Sequence, residues 1–223
     1  MALQGVDISA FQGYVDWKAM TKDGISFVVI KATEGIERDS RSESRKEYFL
    51  ENWKKSQDFK VIRGAYHFFR ANRDPILQAK AFLERVPDFL DEDVLPPILD
   101  IETDDNMPKS KIIARATEWL KIVHDEVGMR PIVYTYGEFA NDYLNTGFGY
   151  YPLWIANYGT NQLTRPRVPT RKLRLPQMWG NYLFWQYSSR GQVKGISTDA
   201  DLNIYHGTQS QLLYFISESR YRE

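Results

Sequence analysis

The feature that most constrains the fold is the alternation of short apolar segments with longer amphipathic ones along the 223-residue chain. Four segments place apolar residues at helical spacing and predict helices at 43–57, 75–86, 109–127 (beginning near Ser110) and 209–219. Segments rich in β-branched and aromatic residues predict eight strands, the last of them weaker, at residues 5–9, 26–32, 61–69, 96–102, 131–136, 152–157, 182–188 and 199–205.

Eight strands that alternate with helices predict an α/β fold, namely a closed, parallel, TIM-like (β/α) barrel. The chain is shorter than the roughly 250 residues usual for such barrels, and the segments between the fifth and eighth strands have little helical pattern. We therefore expect irregular or missing helices in the second half. An open doubly wound sheet is the alternative, but it requires a glycine-rich phosphate turn after the first strand. Residues 9–17, SAFQGYVDW, do not form such a turn.

Composition and charge exclude several classes of function. The 29 lysines and arginines balance the 29 aspartates and glutamates, so neither nucleic acid nor an anionic membrane is expected as a partner. No segment approaches 18 consecutive apolar residues, so we expect no membrane span. The chain has no cysteine, and His67, His124 and His206 lack the spacing of metal ligands, so we expect no disulfide, metal or cofactor.

The stretch PPILDIETDDN, residues 96–106, contains the first candidate site. Asp100 and Glu102 are two residues apart in a predicted strand, so both side chains would point the same way, with Cα atoms roughly 6–7 Å apart. Two carboxylates on an otherwise apolar strand cost solvation free energy unless they have a function. A structural interpretation also exists, since the pair would cap the helix near Ser110 or form salt bridges.

Acidic and aromatic residues recur where the other predicted strands end, which is where barrel enzymes carry their catalytic groups. Together with Asp100 and Glu102, the candidates are Asp7, Glu34, Tyr66, His67, Tyr134, Tyr136, Trp154, Asn157, Gln186 and Asp201. This combination suits a sugar site, because carboxylates catalyse glycosidic cleavage and flat rings stack on pyranoses. Crowding of Asp7, Asp100, Glu102 and Asp201 would raise at least one pKa, and the longer glutamate is the natural acid.

Single candidates also have structural interpretations. Glu34 would pair with Lys31, and any one of the aromatic side chains would belong to the core. Asp7 alone would hydrogen-bond a turn. Asp199 and Asp201 share a strand face, and either would serve as the late acid. The argument for a site therefore rests on the recurrence of acidic and aromatic residues at several separate strand ends.

Eight ordered segments make the chain resemble the family 25 glycoside hydrolases, the Chalaropsis-type lysozymes or N-acetylmuramidases. The resemblance runs from about residue 4 to 207, and its segments are GVDISAFQG, FVVIKATEG, GAYHFF, PPILDIE, PIVYTY, PLWIANY, FWQYSS and GISTDADLN. It implies one catalytic domain, residues 1–223, that cleaves the β-1,4 bond between N-acetylmuramic acid and N-acetylglucosamine in peptidoglycan.

The resemblance also implies roles for single residues. Glu102 would be the proton donor, Asp100 would orient or stabilise the substrate 2-acetamido group, and Asp7 and Asp201 would be the remaining catalytic acids. Glu34, Tyr66, Tyr134, Trp154 and Gln186 are the expected substrate-binding residues. A retaining, acetamido-assisted route is expected, with direct attack by Asp100 as the alternative. The segment GISTDADLN departs from the family pattern, so Asp199 remains the second choice for the late acid.

Two other functions remain open. A chitinase-like hydrolase would also use a strand-end acid, but residues 95–102, LPPILDIE, lack the acidic run DxxDxDxE. A non-catalytic wall-binding domain would not be expected to keep both Asp100 and Glu102. We expect a monomer that acts on glycan strands in an extracellular or periplasmic location. Residues 1–15 have no signal-peptide pattern, so the protein either works where it is made, is released by lysis as phage enzymes are, or has had its leader removed.

The distribution of charge is uneven in one interval. Between Asp142 and Asp199 there is no acidic residue, whereas the proline-containing segment TRPRVPTRKLRLPQMWG, residues 164–180, is strongly basic. This segment is either a solvated loop or a binding surface for anionic wall components such as stem-peptide carboxylates.

Overall fold

The structure is a computed structural model that describes residues 2–40 and 47–220. Seven barrel strands have a common direction, with an eighth strand, β9, closing the barrel between the last and the first of them. In chain order the strands are β1 Leu3–Ile8, β2 Ile25–Glu34, the short β3 Glu37–Arg38, β4 Ile62–Phe68, β5 Ile98–Asp100, β6 Ile132–Tyr136, β7 Leu153–Ala156, β8 Phe184–Gly191 and β9 Ala200–Tyr205. The predicted α/β barrel is confirmed, and β3 is an added hairpin strand on β2.

The last strand runs opposite to the direction that a parallel barrel requires. β9 is antiparallel to both β8 and β1. Residues 192–199 form the whole connection between β8 and β9, and a parallel crossover needs a dozen residues or more. The short connection therefore reverses the chain. As a result the start of β9, with Asp201, lies at the same rim as the carboxyl ends of the parallel strands.

Four of the six helices of the described residues lie in segments predicted to be helical, whereas the short first and fifth helices were not predicted. The six helices are α1 Trp17–Lys22, α2 Phe49–Asp58, α3 Pro75–Arg85, α4 Lys109–Val127, α5 Gly137–Tyr143 and α6 Gln209–Ser219, with a 3-10 helix at Thr146–Tyr150. Of the helix predicted at 43–57, residues 43–46 lie outside the described residues, residues 47 and 48 are not helical, and α2 begins at Phe49. The α4 helix has Pro108 as its N-cap with no side-chain cap bond, so Ser110 does not cap it and neither Asp100 nor Glu102 does.

The second half of the barrel is irregular, as expected. Residues 157–183 and 192–199 connect strands without any helix. Prolines in the first segment remove backbone donors and restrict φ, which disfavours helix formation there. None of the helices in the described part of the chain is long and apolar enough to cross a membrane.

Alternate residues of the strands divide the core into two parts. Phe27, Ile98, Ile132 and Phe184 belong to one apolar cluster, which Leu212 and Ile216 of α6 also join. The intervening strand residues pack with the outer helices in a second, larger cluster. Gly5 lies against Phe27, and a Cβ at this position would be 2.3 Å from its ring. An apolar floor thus fills one end of the barrel interior, and the polar residues described next lie above it.

Candidate active site

Four carboxyl side chains gather at the barrel rim. Asp7 lies near the end of β1, Asp100 is the last residue of β5, and Asp201 is the second residue of β9. Glu102 follows β5 in a segment whose backbone is still tied to β6, since the Ile101 N–H donates to the Tyr134 carbonyl oxygen at 3.0 Å. Asp7 and Asp201 are direct partners in the β1–β9 register.

Asp7 is buried and held by two amides. Its Oδ2 accepts hydrogen bonds from Gln186 Nε2 at 2.8 Å and from Asn203 Nδ2 at 2.7 Å. Burial raises the pKa of Asp7 to about 6, although the hydrogen bonds from Asn203, Gln186 and Asp201 act in the opposite direction. Asp7 is therefore mostly ionised at neutral pH in a site that is poorly solvated.

Asp201 has the opposite protonation state at neutral pH. Burial, followed by the charge of Asp7 and the hydrogen bond to Asp7, raises the pKa of Asp201 to about 9. The protonated Asp201 carboxyl then donates to the ionised Asp7, so the pair shares one proton. Asp199 is exposed, and its peptide oxygen accepts from Gln12 Nε2 at 3.1 Å. The structure thus brings Asp201, and not Asp199, into the carboxyl cluster.

Asp100 and Glu102 both have raised pKa values. Burial raises the pKa of Asp100 well above its usual range, and the nearby charge of Glu102 adds to this effect. Asp100 is 6% exposed, and its Oδ1 has no hydrogen-bond partner among the described residues. Burial and the charge of Asp7 raise the pKa of Glu102, while Lys31 and the Tyr134 hydroxyl lower it. A buried acceptor without a partner is costly, and a ligand that donates a hydrogen bond to Asp100 would remove this cost.

Gln186 connects the aromatic residues to the acids. Its Oε1 accepts from the hydroxyls of Tyr134 at 2.8 Å and Tyr158 at 2.7 Å, while its amide nitrogen donates to Asp7. Gln186 is 3% exposed, so its side chain is held in place and its amide in turn holds the Asp7 carboxyl group.

The aromatic residues expected to bind substrate differ in accessibility. Trp154 is 2% exposed, and its Nε1 donates to Asn203 Oδ1 at 2.7 Å. A ring that stacks on a sugar must present a face to solvent, so the geometry gives Trp154 a supporting position and does not fit the expected stacking role. Tyr134 is also buried, whereas Tyr66 is half-buried beside Trp154, with ring centroids 6.4 Å apart.

Glu34 forms an ion pair with Lys31, as its structural interpretation predicted. Its Oε2 lies 2.6 Å from Lys31 Nζ, and its Oε1 lies 3.0 Å from Arg70 Nε. Arg70 also pairs with Asp105 at 2.9 Å. Glu34 therefore orients Lys31, whose charge lowers the pKa values of Asp100 and Glu102.

A cavity of about 520 Å³ opens beside the acids. Glu102 lines this cavity, along with the last residues of β6 and β7 and the residues that follow them. Its lining consists of Glu102, Tyr136, Gly137, Glu138, Ala156, Asn157, Tyr158 and Gly159. A ligand in this cavity would meet a half-buried carboxyl group with a raised pKa, which suits proton donation.

Sequence reasoning missed several members of the site. Lys31 lowers the pKa values of Asp100 and Glu102, and Asn203 donates a hydrogen bond to Asp7. Asn203 could have been found from the sequence, because it stands two residues after Asp201 in the family-like segment DLN. Tyr158 ends the family-like segment PLWIANY, whereas Asp39 lies outside the eight segments. The Asp39 carboxylate accepts from the Ala10 N–H at 2.5 Å, and burial raises its pKa. Within residues 2–40 and 47–220, no group of three or more acidic or histidine side chains could hold a metal ion.

Comparison with known proteins identifies the family. Residues 6–196 match the model of Glycosyl hydrolases family 25. The uncharacterized protein YegX of Escherichia coli K12 is 33% identical over 219 residues, which cover 96% of this chain and 73% of YegX. Lysozyme M1 of Streptomyces globisporus is 31% identical, over 95% of this chain and 70% of its own length. The crystal structure of the bacterial lysozyme from Streptomyces coelicolor superposes with a TM-score of 0.83 and 27% identity, covering 97% and 98% of the two chains.

The barrel is thus that of a glycoside hydrolase. The chain belongs to glycosyl hydrolases family 25, which confirms the resemblance found in the sequence. The family and its lysozyme members support hydrolysis of bacterial peptidoglycan as the activity.

Proposed function

We propose that this protein is a muramidase that cleaves the β-1,4 bond between N-acetylmuramic acid and N-acetylglucosamine in peptidoglycan. Glu102 acts as general acid and then as general base, and Asp100, Asp7 and Asp201 complete the catalytic group. The whole chain, residues 1–223, forms the catalytic domain and acts as a monomer at the cell wall, outside the membrane.

The observation that carries this proposal is the position of Glu102. Its carboxyl group combines a raised pKa with a place in the wall of the 520 Å³ cavity. A general acid must hold its proton near the working pH and must also reach the leaving oxygen. Ionised Asp7 supports the first requirement, because its charge raises the pKa of Glu102.

Asp100 supports a retaining route assisted by the substrate. A 2-acetamido oxygen that attacks the anomeric carbon leaves its N–H as a donor, and a carboxyl oxygen that accepts from this N–H orients the acetamido group for the attack. The buried Asp100 has an acceptor atom without a partner. Its low exposure also makes direct attack on the anomeric carbon the less favourable route.

The test is the reducing end that the enzyme releases from purified peptidoglycan. After borohydride reduction, the native protein should release products that end in reduced muramic acid, as identified by mass spectrometry. Glu102→Gln should lower the rate by about 10²- to 10⁴-fold, the usual contribution of a general acid. Glu126→Gln, an exposed change in α4, is the control and should cleave like the native protein.

Other outcomes would contradict the proposal in distinct ways. Reduced glucosamine ends would indicate cleavage of the other glycosidic bond, and hydrolysis of chitin alone would indicate a chitinase-like enzyme. Binding to several types of wall without any product would indicate a non-catalytic wall-binding domain.

A further inference from the structure

The segment 164–180, called here the basic loop, has cations without acidic partners. None of its five cations forms an ion pair with a carboxylate of the described residues. These cations are Arg165, Arg167, Arg171, Lys172 and Arg174. An excess of one charge near a cleft attracts ligands of the opposite charge.

A second cavity, of about 400 Å³, separates the basic loop from the segment that follows β7. Gly159 and Asn161 line one side of it, and Arg167 and Arg171 line the other. Gly159 also lines the cavity that contains Glu102. The two cavities therefore adjoin, and a ligand bound at Glu102 could extend into the second one.

Arg171 is fixed at the boundary between the cavities. Its guanidinium group donates to the Asn157 carbonyl oxygen and lies over the Trp185 ring, 4.6 Å from the centroid. Gly159 has φ +68°, and a Cβ at this position would lie 3.1 Å from Arg171 Nε. Only glycine combines this conformation with the close approach of the arginine.

Arg167 is the more accessible cation of the second cavity. Its side chain is exposed, whereas its backbone N–H donates to the Tyr187 hydroxyl at 3.2 Å. That hydroxyl in turn donates to Gln4 Oε1 at 2.7 Å. The loop is thus anchored to the barrel while the Arg167 guanidinium remains available to a ligand.

We infer that this second cavity binds carboxylates of the peptide stems attached to the glycan strand. The inference rests on the proposed muramidase function, because stems are carried by the muramic acid residues of that substrate. Arginine suits the role because its fork of donors matches a carboxylate in geometry and charge. The volume is also within the range of sites for small ligands, roughly 300–1,000 Å³.

The experiment compares binding of two charge reversals to one wall preparation. Arg167→Glu changes a residue that lines the cavity. Arg174→Glu makes the same change in charge at an exposed position of the same loop that does not line it. Both are made together with Glu102→Gln, so that the wall is not digested. Sedimentation with teichoic-acid-free peptidoglycan measures affinity, before and after carbodiimide coupling of ammonia converts the stem carboxylates into amides.

The Arg167 variant should bind intact peptidoglycan about three- to tenfold more weakly, because an exposed attraction becomes a repulsion of similar size. The Arg174 variant should bind nearly like its parent, the Glu102→Gln protein. Amidation of the wall should weaken binding by the parent and remove most of the difference in affinity between the parent and the Arg167 variant. Equal losses in both variants, or an Arg167 effect that survives amidation, would overturn the inference. Thermal melting checks that each variant is folded.

Failure of the proposed function would give a different result. In that case the native protein would release no reduced muramic acid ends, whatever the binding data show. If cleavage occurs and the Arg167 variant binds intact peptidoglycan normally, only the stem-binding site is refuted.

Discussion

At the scale of single residues, the neighbouring buried carboxyl groups of Asp7 and Asp201 reach different protonation states because their partners differ. Two amide donors stabilise the ionised form of Asp7, with a pKa of about 6. Asp201 faces that charge, and its pKa of about 9 keeps it protonated at neutral pH. Separation of pKa values among neighbouring acids is what divides acid and base roles in an active site.

The hydrogen bond from Asn203 provides a test of this arrangement. Asn203→Ala removes a donor that stabilises ionised Asp7, so the pKa of Asp7 should rise above about 6. Ionised Asp7 supports the proton on Glu102, so the acidic limb of the kcat/KM profile should move to higher pH. The measurement is the initial rate of peptidoglycan cleavage across the acidic and neutral range.

Ser188→Ala is the matched control for this shift. Ser188 is buried in β8, and its hydroxyl donates to Gln162 Oε1 at 3.3 Å, whereas the side-chain amides that donate to Asp7 among the described residues are those of Gln186 and Asn203. This variant should lose some stability but keep the acidic limb of the native enzyme. If both variants moved the limb equally, the shift would reflect general loosening of the barrel and not the Asn203 bond.

At the scale of elements, the buried Arg63 of β4 joins this strand to the segment before β5 through two ion pairs, and their contribution to stability can be measured. Arg63 is 1% exposed and donates to Asp91 and Asp93, each at 2.7 Å. Replacing both acids by asparagine leaves a buried cation without a counter-ion and should lower the free energy of unfolding by about 3 kcal/mol.

The comparison variant removes the cation instead. Arg63→Met places an apolar side chain of similar length in the same site and should change the free energy of unfolding by only about 1 kcal/mol. Urea unfolding of the two variants, with peptidoglycan cleavage as a check on the active site, makes the measurement. A larger loss for Arg63→Met than for the double asparagine variant would contradict the prediction that an unpaired buried cation is the larger cost.

Elements also show what the sequence can predict. The α4 and α6 helices were predicted over the residues they occupy, because long runs at helical spacing are distinctive. The direction of β9 was not predictable from its own residues, because an alternating pattern reads the same in both directions. That direction places Asp201 opposite Asp7. Tyr158 lies in an irregular connection, so its bond to Gln186 depends on tertiary structure alone.

At the scale of the whole molecule, the raised carboxyl pKa values make the stability depend on pH. A folded state with raised acid pKa values binds more protons than the unfolded state, so the free energy of unfolding falls as pH rises. Burial lowers the pKa of His67 to about 3, and this acts in the opposite direction only between about pH 3 and 6.5. Above about pH 6.5 His67 is neutral in both states, and the carboxyl groups dominate the slope.

Asp201→Asn should therefore make the protein less sensitive to alkaline pH. With a folded pKa of about 9, Asp201 reduces the free energy of unfolding by up to about 1.4 kcal/mol for each pH unit between its unfolded pKa and its folded one. Asparagine cannot ionise, yet its amide can still donate to Asp7. Urea unfolding between about pH 6.5 and 8.5 should give a shallower slope for this variant than for the native protein. Asp199→Asn, at an exposed position just before β9, should follow the native slope, and equal slopes for all three proteins would show that Asp201 does not hold its proton in the folded state.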